Sequence, residues 1–520
     1  MSRIADLRRL WHAARVLARN DALFPKEYEA LLPPSARLIR RLLGSGWARH
    51  DAPPGIRLAR ALESLGPAYI KLGQVLATRP DIIGDDVAKA LQQLQDRLPP
   101  FPTEIARKVI EAGLDRPVEA LFSALSEPIA AASIAQVHKG ETATDPPVAV
   151  AVKVLRPTAA ADFGRDLSAF AFAARLAERW FPVTRRLRPR AMVEILADSV
   201  ALELDLRMEA AGASELEERT RSDPDFRVPH IDWNRTTDRV LTSEWIDGIS
   251  VRDRDALIAA GHDPKRIANL VIRCFLTQAL RDGYFHADMH PGNLFVDAEG
   301  RLVAVDFGIM GRLDDAMRRF MAETLAGFLA RDYRRIAQIH FDVAFVPPHH
   351  SIETFAQALR AIGEPIFGRP VREVSMARLL AQLFDTTYRF DMEAQPQLVL
   401  LQKTMMVVEG VARGLDPDFD MWEASRPVVE KWMLERMGPE GRLREAADGM
   451  SALGRMAQNL PQLLRNAEII SAMLADGGVR LHPDSVNLIA AAQVSRTRHV
   501  RIAIWIAAGA LGVIALVPFL

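Results

Sequence analysis

Three side chains in the middle of the chain have the types and spacing that phosphoryl transfer requires. Asp288 lies in the motif His-x-Asp-x-His, Asn293 follows five residues later, and Asp306 opens the triplet Asp-Phe-Gly. An in-line displacement at phosphorus needs one carboxylate near the attacking oxygen, and amide and carboxylate oxygens that hold Mg²⁺ across the phosphates. The pattern therefore predicts Asp288 as the catalytic carboxylate, and Asn293 and Asp306 as metal ligands.

A hairpin would bring the two metal ligands together. Residues 294–296 and 302–305 are apolar runs of strand length, and the loop between them ends in glycine, as is typical of hairpins. Asn293 precedes the first run and Asp306 follows the second. The hairpin would therefore place both side chains at its open end, opposite the turn.

The same stretch allows a second interpretation. His286, Asp288 and His290 carry imidazole and carboxylate groups, which bind zinc. A zinc cluster does not explain why Asn293 and Asp306 stand at the spacing that phosphoryl transfer needs. Phosphoryl transfer is therefore the favoured interpretation, with a zinc cluster as its alternative.

Length and composition limit the possible classes of protein. The chain has 520 residues, enough for two or three domains, and its 49% hydrophobic content is ordinary for a globular protein. Lys and Arg number 66 and balance 66 Asp and Glu, so no overall field favours nucleic acid as a partner. The single cysteine, Cys274, excludes an internal disulfide and a multi-thiolate metal site, and its apolar surroundings predict a packing role.

Both ends of the chain have features of membrane contact. Residues 502–520 carry no charge and are long enough for one span. Arginines before this run predict that the bulk of the protein faces the cytoplasm. Near the N-terminus, residues 4–17 repeat apolar side chains at helical spacing with arginines between them. That pattern fits either a helix on a membrane surface or a helix packed on the main domain.

Upstream of the catalytic motif, one strand and one loop have the features of a nucleotide site. Residues 148–154 form an apolar strand with Lys153 near its end, where a lysine contacts the phosphates of ATP. Such sites usually have a Gly-rich loop before this strand, so that backbone N–H groups approach the phosphates closely. Here the loop contains Ala130, Ala131, Ala132 and Ser133. Alanine restricts φ, so we expect nucleotide to bind with altered phosphate geometry.

Two further elements complete the predicted nucleotide site. A helical stretch carries Glu203 and Glu209, and one of them would pair with Lys153. Glu203 is the first choice for this pair and Glu209 the second. The next strand would lead into a hinge, where the backbone of Glu244 and Ile246 would hold the adenine edge. ATP and Mg²⁺ are therefore the predicted cofactors.

A helix nearer the N-terminus carries two polar residues within an apolar run. Lys71 and Gln74 are three residues apart, so both point to one face, and Gly73 between them indicates close approach to a polar partner. No Ala-Pro-Glu follows the Asp-Phe-Gly triplet, so the long activation segment of protein kinases is missing and leaves room for a cap. We expect Lys71 within ion-pair reach of Asp306 or of one of the two glutamates.

Together these motifs resemble the UbiB family of atypical protein-kinase-like proteins, the aarF-domain kinases of coenzyme Q biosynthesis. The resemblance covers about residues 60–310 and rests jointly on Lys71-x-Gly73-Gln74, Ala130-Ala131-Ala132-Ser133, Val152-Lys153, Glu203-Leu-Asp, Glu209-Ala210, His286-x-Asp288-x-His290-Pro291-Gly292-Asn293 and Asp306-Phe307-Gly308. It implies ATP hydrolysis or phosphoryl transfer that supports ubiquinone biosynthesis at the cell inner membrane. It also implies that the Lys71 helix folds over the active site, and that membrane lipid, a quinone precursor and other proteins of quinone biosynthesis are partners.

The predicted fold class is α+β, a two-lobed protein-kinase-like fold with an N-terminal helical cap, a mainly helical C-terminal lobe and a C-terminal transmembrane helix. The predicted segments are a basic N-terminal region (1–57), the cap (58–116), the small lobe (117–247), the large lobe with a helical extension (248–495) and the anchor (500–520). Two other functions stay open, a small-molecule kinase and a non-catalytic, nucleotide-switched lipid-binding scaffold. A small-molecule kinase should not need the Lys71 helix, and a scaffold need not keep the whole catalytic set.

Overall fold

The computed structural model describes most of the chain up to residue 437, namely residues 3–22, 52–77, 83, 85–91, 94, 99–132, 134–180, 189–367, 386, 389–392 and 396–437. By its internal contacts the chain divides into two units, Met1–Met433 and Leu434–Leu520. The elements given below belong to the first unit, apart from the end of the final helix.

Helices come first in the chain. Their bounds are α1 Arg3–Arg19, α2 Pro54–Leu65, α3 Pro67–Ala77, α4 Asp85–Leu91, α5 Thr103–Leu114 and α6 Val118–Leu121. Gly66 separates α2 from α3 with a φ of 108°, a conformation that suits glycine. Pro67 then starts α3, at a position where a proline loses no helical hydrogen bond.

The basic helix α1 packs on the main body of the first unit. Arg9 Nη1 lies 2.7 Å from Asp166 Oδ1, and Ala13 and Ala18 are buried. Leu7 and Trp11 on its outer side stay half exposed. Of the two interpretations of this helix, the structure shows the packed one.

The first sheet has four antiparallel strands in the order β1-β2-β3-β5. They are β1 Phe122–Ala131, β2 Ala135–Thr142, β3 Ala149–Leu155 and β5 Val240–Glu244. Val150, Val152 and Val154 of β3 are buried against α5, so the alternate residue Lys153 points to the other face of the sheet. Among the described residues, three α-helices, a short strand and a one-turn 3-10 helix lie between β3 and β5. They are α7 Ala159–Trp180, α8 Pro189–Glu203, α9 Leu206–Thr220, β4 Phe226–Arg227 and the 3-10 helix Trp233–Arg235.

The part of the chain that carries the catalytic motif is built around a buried helix. Its elements are β6 Ile249–Ser250, α10 Arg254–Ala259, α11 Pro264–Thr277, β7 Tyr284–His286, β8 Leu294–Val296, β9 Leu302–Ala304 and β10 Met310–Arg312. The largest apolar core surrounds α11 and includes Cys274, which confirms the packing role predicted for this residue. The predicted hairpin is also confirmed, because β8 and β9 pair antiparallel with Leu294 opposite Ala304.

The remaining described elements are helices. They are α12 Asp315–Ala330, α13 Tyr333–Asp342, α14 Ile352–Phe367, α15 Pro396–Leu415 and α16 Met421–Met437. Asp314 caps α12 by accepting a hydrogen bond from the N–H of Met317 at 2.7 Å. Because α12 begins soon after β10, the chain here has no room for a long activation segment. This agrees with the missing Ala-Pro-Glu.

The predicted C-terminal span needs correction. Within the ranges that the structure describes, no helix is long and apolar enough to cross a membrane. The prediction of a single transmembrane helix, and the inner-membrane location that depended on it, therefore does not hold. The uncharged run at residues 502–520 on which it rested lies outside the described ranges.

A buried histidine on α13, His340, is expected to make the stability of the protein depend on pH. Burial lowers the pKa of His340 to about 4, and its Nδ1 lies 2.8 Å from the carbonyl oxygen of Ile336. An unfolded histidine titrates near 6.5, so between about pH 4 and 6.5 the unfolded state binds more protons. The free energy of unfolding therefore has its full value above pH 6.5. It falls by up to about 3 kcal/mol as the pH drops from 6.5 to 4, because the unfolded state then gains protons that the folded state does not.

Denaturant unfolding at pH 7 and pH 4.5 measures this effect. We expect His340→Gln to reduce the loss of unfolding free energy between the two pH values. The same change at the exposed His230 should leave that loss unaltered. Equal losses in wild type and His340→Gln would contradict the prediction.

Candidate functional site

A largely buried lysine joins the first sheet to the loop after β9. Lys153 Nζ lies 2.7 and 2.8 Å from the two carboxylate oxygens of Glu209 on α9. The same nitrogen lies 3.1 Å from Oδ1 of Asp306. An ammonium group has three N–H donors, so Lys153 uses all three on these two carboxylates.

The charges of these three residues depend on burial and on one another. Lys153 lowers the pKa of Asp306 to about 2 against the raising effect of burial, so this carboxylate is ionised at neutral pH. Burial raises the pKa of Glu209 to about 7, with Lys153 opposing the rise and Asp306 adding to it. Burial acts to lower the pKa of Lys153, but the two carboxylates outweigh it and hold that pKa above its usual value. A cation is thus fixed beside an ionised carboxylate.

Glu203, the first choice as partner of Lys153, pairs with another lysine. Its Oε1 lies 2.8 Å from Nζ of Lys71. Glu203 is the last residue of α8, whereas Glu209 lies in the first turn of α9, which Asp205 caps through its side chain. Because the helix breaks between them, the two glutamates reach different partners. The first choice was wrong, and the second choice, Glu209, is the residue that pairs with Lys153.

The cap helix α3 presents Lys71 as expected, but its glycine serves another purpose. Lys71 lies within ion-pair reach of one of the two glutamates, and Gln74 lies nearly one turn further on and is half-buried. A Cβ on Gly73 would lie 2.8 Å from Leu62 Cδ1 and would also collide with Leu94. The close approach at this glycine is therefore apolar packing between helices, and not the polar contact that the sequence predicted.

The apolar core under the cap reaches the turn between β1 and β2. Tyr69 and Ile70 of α3 are buried with Phe170 of α7, and Tyr69 packs edge-on against Phe170 at 4.8 Å between ring centroids. Ile134, in the turn after β1, packs against this core and also against the core around α11. The turn is therefore held between the cap and the catalytic part of the protein.

The alanine-rich stretch is less of a loop than the sequence predicts. Ala130 and Ala131 belong to β1, and Ala132 begins the turn, while Ser133 lies outside the described residues. The N–H of Ala132 donates to the carbonyl of Ala135 at 2.8 Å, which closes a tight turn. This end of the stretch is thus closed by a backbone bond of its own.

Arg156, which the sequence analysis missed, holds this turn in place. Its Nη2 donates to the carbonyl oxygens of Ala132 at 3.0 Å and Pro99 at 2.8 Å. Its backbone N–H donates to the carbonyl of Ile134 at 2.8 Å. Bonds from a side chain to a distant backbone leave no pattern in the sequence, so only the position of Arg156 directly after β3 hinted at this role.

The catalytic loop is organised by a fully buried histidine. Nδ1 of His286 accepts from the N–H of Asp288 at 3.1 Å, and Nε2 lies 3.1 Å from the carbonyl oxygen of Val305. Burial lowers the pKa of His286, so the ring is neutral and donates from Nε2. Both ring nitrogens are thus engaged in joining the catalytic loop to the Asp306 loop. This argues against the zinc cluster, since a ligand needs a ring nitrogen for the metal.

The carboxylate of Asp288 itself faces outward. Its side chain is 33% exposed, and Oδ2 lies 3.8 Å from Nε2 of His290. His290 in turn accepts from the N–H of Gly292 through Nδ1 at 2.9 Å, which fixes the turn of the loop. A small molecule can therefore reach Asp288.

Asn293 and Asp306 lie at the open end of the β8–β9 hairpin, as predicted. Asn293 is buried, and its side-chain Nδ2 donates to the backbone carbonyl of Asp288 at 3.1 Å. The backbone carbonyl of Asn293 accepts from the N–H of Val305 at 2.9 Å. The amide orientation leaves Oδ1 as the atom that can meet a metal. Asp306 adds an ionised carboxylate that is 49% exposed. Oxygen donors of this kind suit Mg²⁺, so the two residues fit the predicted ion.

Asp306 adopts a backbone conformation that few side chains take. Its φ is 63°, in the left-handed region where aspartate and asparagine are the usual non-glycine residues. Strained backbone of this kind is common at functional sites. The conformation turns the carboxylate toward Lys153.

The strand β5 leads into the segment that was predicted to be the hinge. β5 ends at Glu244, whose N–H donates to the carbonyl of His230 at 2.8 Å, and the N–H of Trp245 donates to Ala149 at 3.1 Å. The backbone of Glu244 therefore has its carbonyl oxygen to offer an adenine amino group. Because the N–H of Trp245 is used on Ala149, the next backbone N–H along the chain that could donate to adenine is that of the half-buried Ile246.

Thr404 is a second residue that the sequence analysis missed. It lies on α15, and its hydroxyl donates to the carbonyl of Ala287 in the catalytic loop at 3.0 Å. The hydroxyl also lies 2.9 Å from the carbonyl of Leu400 in its own helix. A lone hydroxyl in an apolar helical run was the available signal. The helical extension thus supports the catalytic loop directly.

Two family models match this chain, and a known protein and a solved structure are similar to it. Residues 93–340 match the family model of the ABC1 atypical kinase-like domain, and residues 359–420 match that of the UbiB helical domain. The protein named "Probable protein kinase UbiB" of Marinobacter nauticus is 44% identical over 421 residues, which are 79% of this chain and 76% of that protein. A solved structure, the complex of Rv3197 with erythromycin from Mycobacterium tuberculosis, has 23% identity and a TM-score of 0.46, and covers 76% of this chain and 97% of its own.

Proposed function

Since the chain belongs to the UbiB family of atypical kinase-like proteins, we propose that it binds ATP with Mg²⁺ and hydrolyses it or transfers its γ-phosphoryl group in support of ubiquinone biosynthesis. The observation that carries the proposal is Lys153, held between Glu209 and Asp306 at 2.7 and 3.1 Å. This trio is the arrangement that positions phosphates in kinases.

The side chains divide the chemistry between them. Asn293 Oδ1 and the Asp306 carboxylate would hold Mg²⁺, which neutralises charge on the phosphates when it is bound. Asp288, with a side chain that is 33% exposed, would orient the attacking oxygen and accept its proton. Lys153 would contact the phosphates, as the corresponding strand lysine does in kinases.

The contacts of Lys153 indicate what nucleotide binding would change. All three donors of its ammonium group are used on Glu209 and Asp306. If a phosphate oxygen took the place of Asp306 at Lys153, the Asp306 carboxylate would be available to hold the metal. Glu209 keeps the lysine in position during this exchange.

The surroundings of the site favour hydrolysis, or transfer to a small acceptor, over phosphorylation of a protein. α12 begins at Asp315, soon after β10, so the segment that positions a peptide in protein kinases is missing. The cap helix α3 is held to α8 by the Lys71–Glu203 pair. A quinone precursor is the acceptor or the lipid cargo that the family resemblance suggests.

An assay of the purified full chain tests this function. We expect phosphate release from ATP that requires Mg²⁺ and increases when a phenolic quinone precursor and anionic lipid vesicles are added. A phosphorylated phenol detected by mass spectrometry would identify a small-molecule kinase instead. Nucleotide binding without turnover under all these conditions would favour the scaffold. A protein that neither binds nor hydrolyses Mg-ATP would contradict the proposal.

The Lys71–Glu203 pair gives a prediction for the cap. Both side chains are largely buried, 13% and 17% exposed, with 2.8 Å between their charged atoms. Lys71→Ala loosens α3 and, through the shared core, the turn at Ile134 that would meet the phosphates. We expect ATP turnover of the folded protein to fall about tenfold, together with a lower thermal unfolding midpoint, because Glu203 loses its largely buried partner.

A matched lysine separates this effect from a general loss of charge. Lys108 lies on the exposed face of α5, and Lys108→Ala should leave turnover unchanged. If Lys71→Ala lowers the unfolding midpoint substantially but leaves the turnover of the folded protein intact, the cap has a structural role only.

A further inference from the structure

Two neighbouring histidines and one aspartate converge far along the chain from the catalytic motif. His349 and His350 lie in the loop between α13 and α14, and Asp391 lies in the described segment 389–392 before α15. Nε2 of His350 is 3.2 Å and Nε2 of His349 is 3.6 Å from Oδ2 of Asp391. One donor atom from each of the three residues lies within 4.8 Å of the other two.

These distances are compatible with metal ligands as well as with the hydrogen bond and ion pair that the side chains form without one. A charge-assisted hydrogen bond between nitrogen and a carboxylate oxygen is usually about 2.7–2.9 Å long. Zinc binds imidazole nitrogen and carboxylate oxygen at about 2.0–2.2 Å, so neighbouring ligands of a tetrahedral ion lie roughly 3.4 Å apart. The separations of 3.2 and 3.6 Å bracket that value.

The arrangement of the two rings also suits a metal. The rings of His349 and His350 have centroids 4.1 Å apart and planes inclined by 39°. Two protonated imidazoles at this distance would repel each other, whereas metal ligation uses neutral imidazole. A metal ion shared by both rings and Asp391 therefore fits the observed geometry.

We propose that His349, His350 and Asp391 form a binding site for a zinc-class divalent ion that fastens the loop after α13 to the segment before α15. Imidazole with one carboxylate is a donor set that zinc takes, and Mg²⁺ and Ca²⁺ prefer oxygen alone. His349 and Asp391 are 65% and 68% exposed. An ion at this place therefore completes its shell with water.

The position of the cluster indicates a structural function. The ring of His350 lies 5.2 Å from that of Phe390, which packs at 4.8 Å on Phe355 of α14. These phenylalanines belong to the aromatic core beneath α13 and α14. An ion that joins the loop to residues 389–392 closes the edge of this core. Metal binding should therefore stabilise the fold.

Zinc binding to the full chain, free of any histidine tag and stripped with a chelator, tests the site. Titration calorimetry with zinc chloride should show one equivalent that is lost, or at least tenfold weaker, in His350→Ala and in Asp391→Asn. Asparagine tolerates the left-handed φ of 50° found at Asp391, so this variant keeps the turn. Zinc should raise the unfolding temperature of wild type, and raise it less in both variants.

His230→Ala is the matched control. His230 is exposed and lies 3.4 Å from Glu217, and among the residues that the structure describes no third ligand completes this pair. This variant should bind zinc as wild type does. If His350→Ala and Asp391→Asn also keep the wild-type affinity and thermal shift, or if wild type binds no zinc, the proposal is wrong. The measurements need no ATP, so their result is independent of the proposed function.

Discussion

Replacing Asp306 by Asn is expected to reduce Mg²⁺-dependent ATP turnover by at least about a hundredfold. The change removes the ionised carboxylate that would anchor the metal and preserves the size of the side chain. Asparagine accepts the left-handed φ of 63° at this position, and its Oδ1 can still accept the hydrogen bond from Lys153. The variant should therefore fold, with the loss confined to metal and nucleotide.

The experiment compares Mg-ATP affinity, measured by calorimetry, with turnover in wild type and variant. Glu299→Gln serves as the control, because Glu299 is an exposed carboxylate in the turn of the same hairpin. That variant should behave as wild type. Unchanged affinity and hydrolysis in Asp306→Asn would sink the kinase-like assignment of the site.

Local spacing made the catalytic loop predictable. Asn293 and Asp306 are joined by a hairpin of two short strands, so backbone pairing within a few residues fixes their separation. The N–H of Asp288 donates to the ring nitrogen Nδ1 of His286, only two residues earlier in the chain. Contacts of this kind depend on neighbours in the sequence, which a single sequence displays.

The partner of Lys153 could not be settled in the same way. Glu203 and Glu209 lie in one helical stretch when the sequence is considered alone, and either could face the sheet. The side chain of Asp205 accepts from the N–H of Arg207 at 3.1 Å. This cap separates the helix α8, which ends at Glu203, from α9, which begins at Leu206. An Asp before a helical run is a known signal for the start of a helix. The sequence therefore did indicate a break between α8 and α9, but the prediction did not take Asp205 into account.

Contacts between distant parts of the chain left still less trace. Thr404 donates to a carbonyl more than a hundred residues away, and Arg156 reaches back to Pro99. Each bond joins a side chain to a backbone atom, and every residue has a backbone carbonyl. Neither partner can therefore be deduced from residue type, and these supports of the site appear only in the folded structure.

Lys153→Met is expected to have the second large effect, on both turnover and stability. Methionine keeps the length of the side chain but removes the cation that faces Glu209 and Asp306. Glu209, 10% exposed, would then be a nearly buried carboxylate with its ammonium partner removed. Breaking such a pair is costly. We expect a loss of about 2 kcal/mol in unfolding free energy and at least a hundredfold fall in turnover. Lys108→Met, on the exposed face of α5, should cause neither.

A double-mutant cycle shows whether Glu209 is the functional partner. If Lys153 and Glu209 act as one unit, Glu209→Gln should add little to the loss of turnover caused by Lys153→Met. Glu203→Gln acts through the Lys71 pair and the cap, so its effect should multiply that of Lys153→Met. The reverse outcome, with Glu203 coupled to Lys153 and Glu209 independent, would mean that the active enzyme uses a different pairing from the one observed at 2.7 Å.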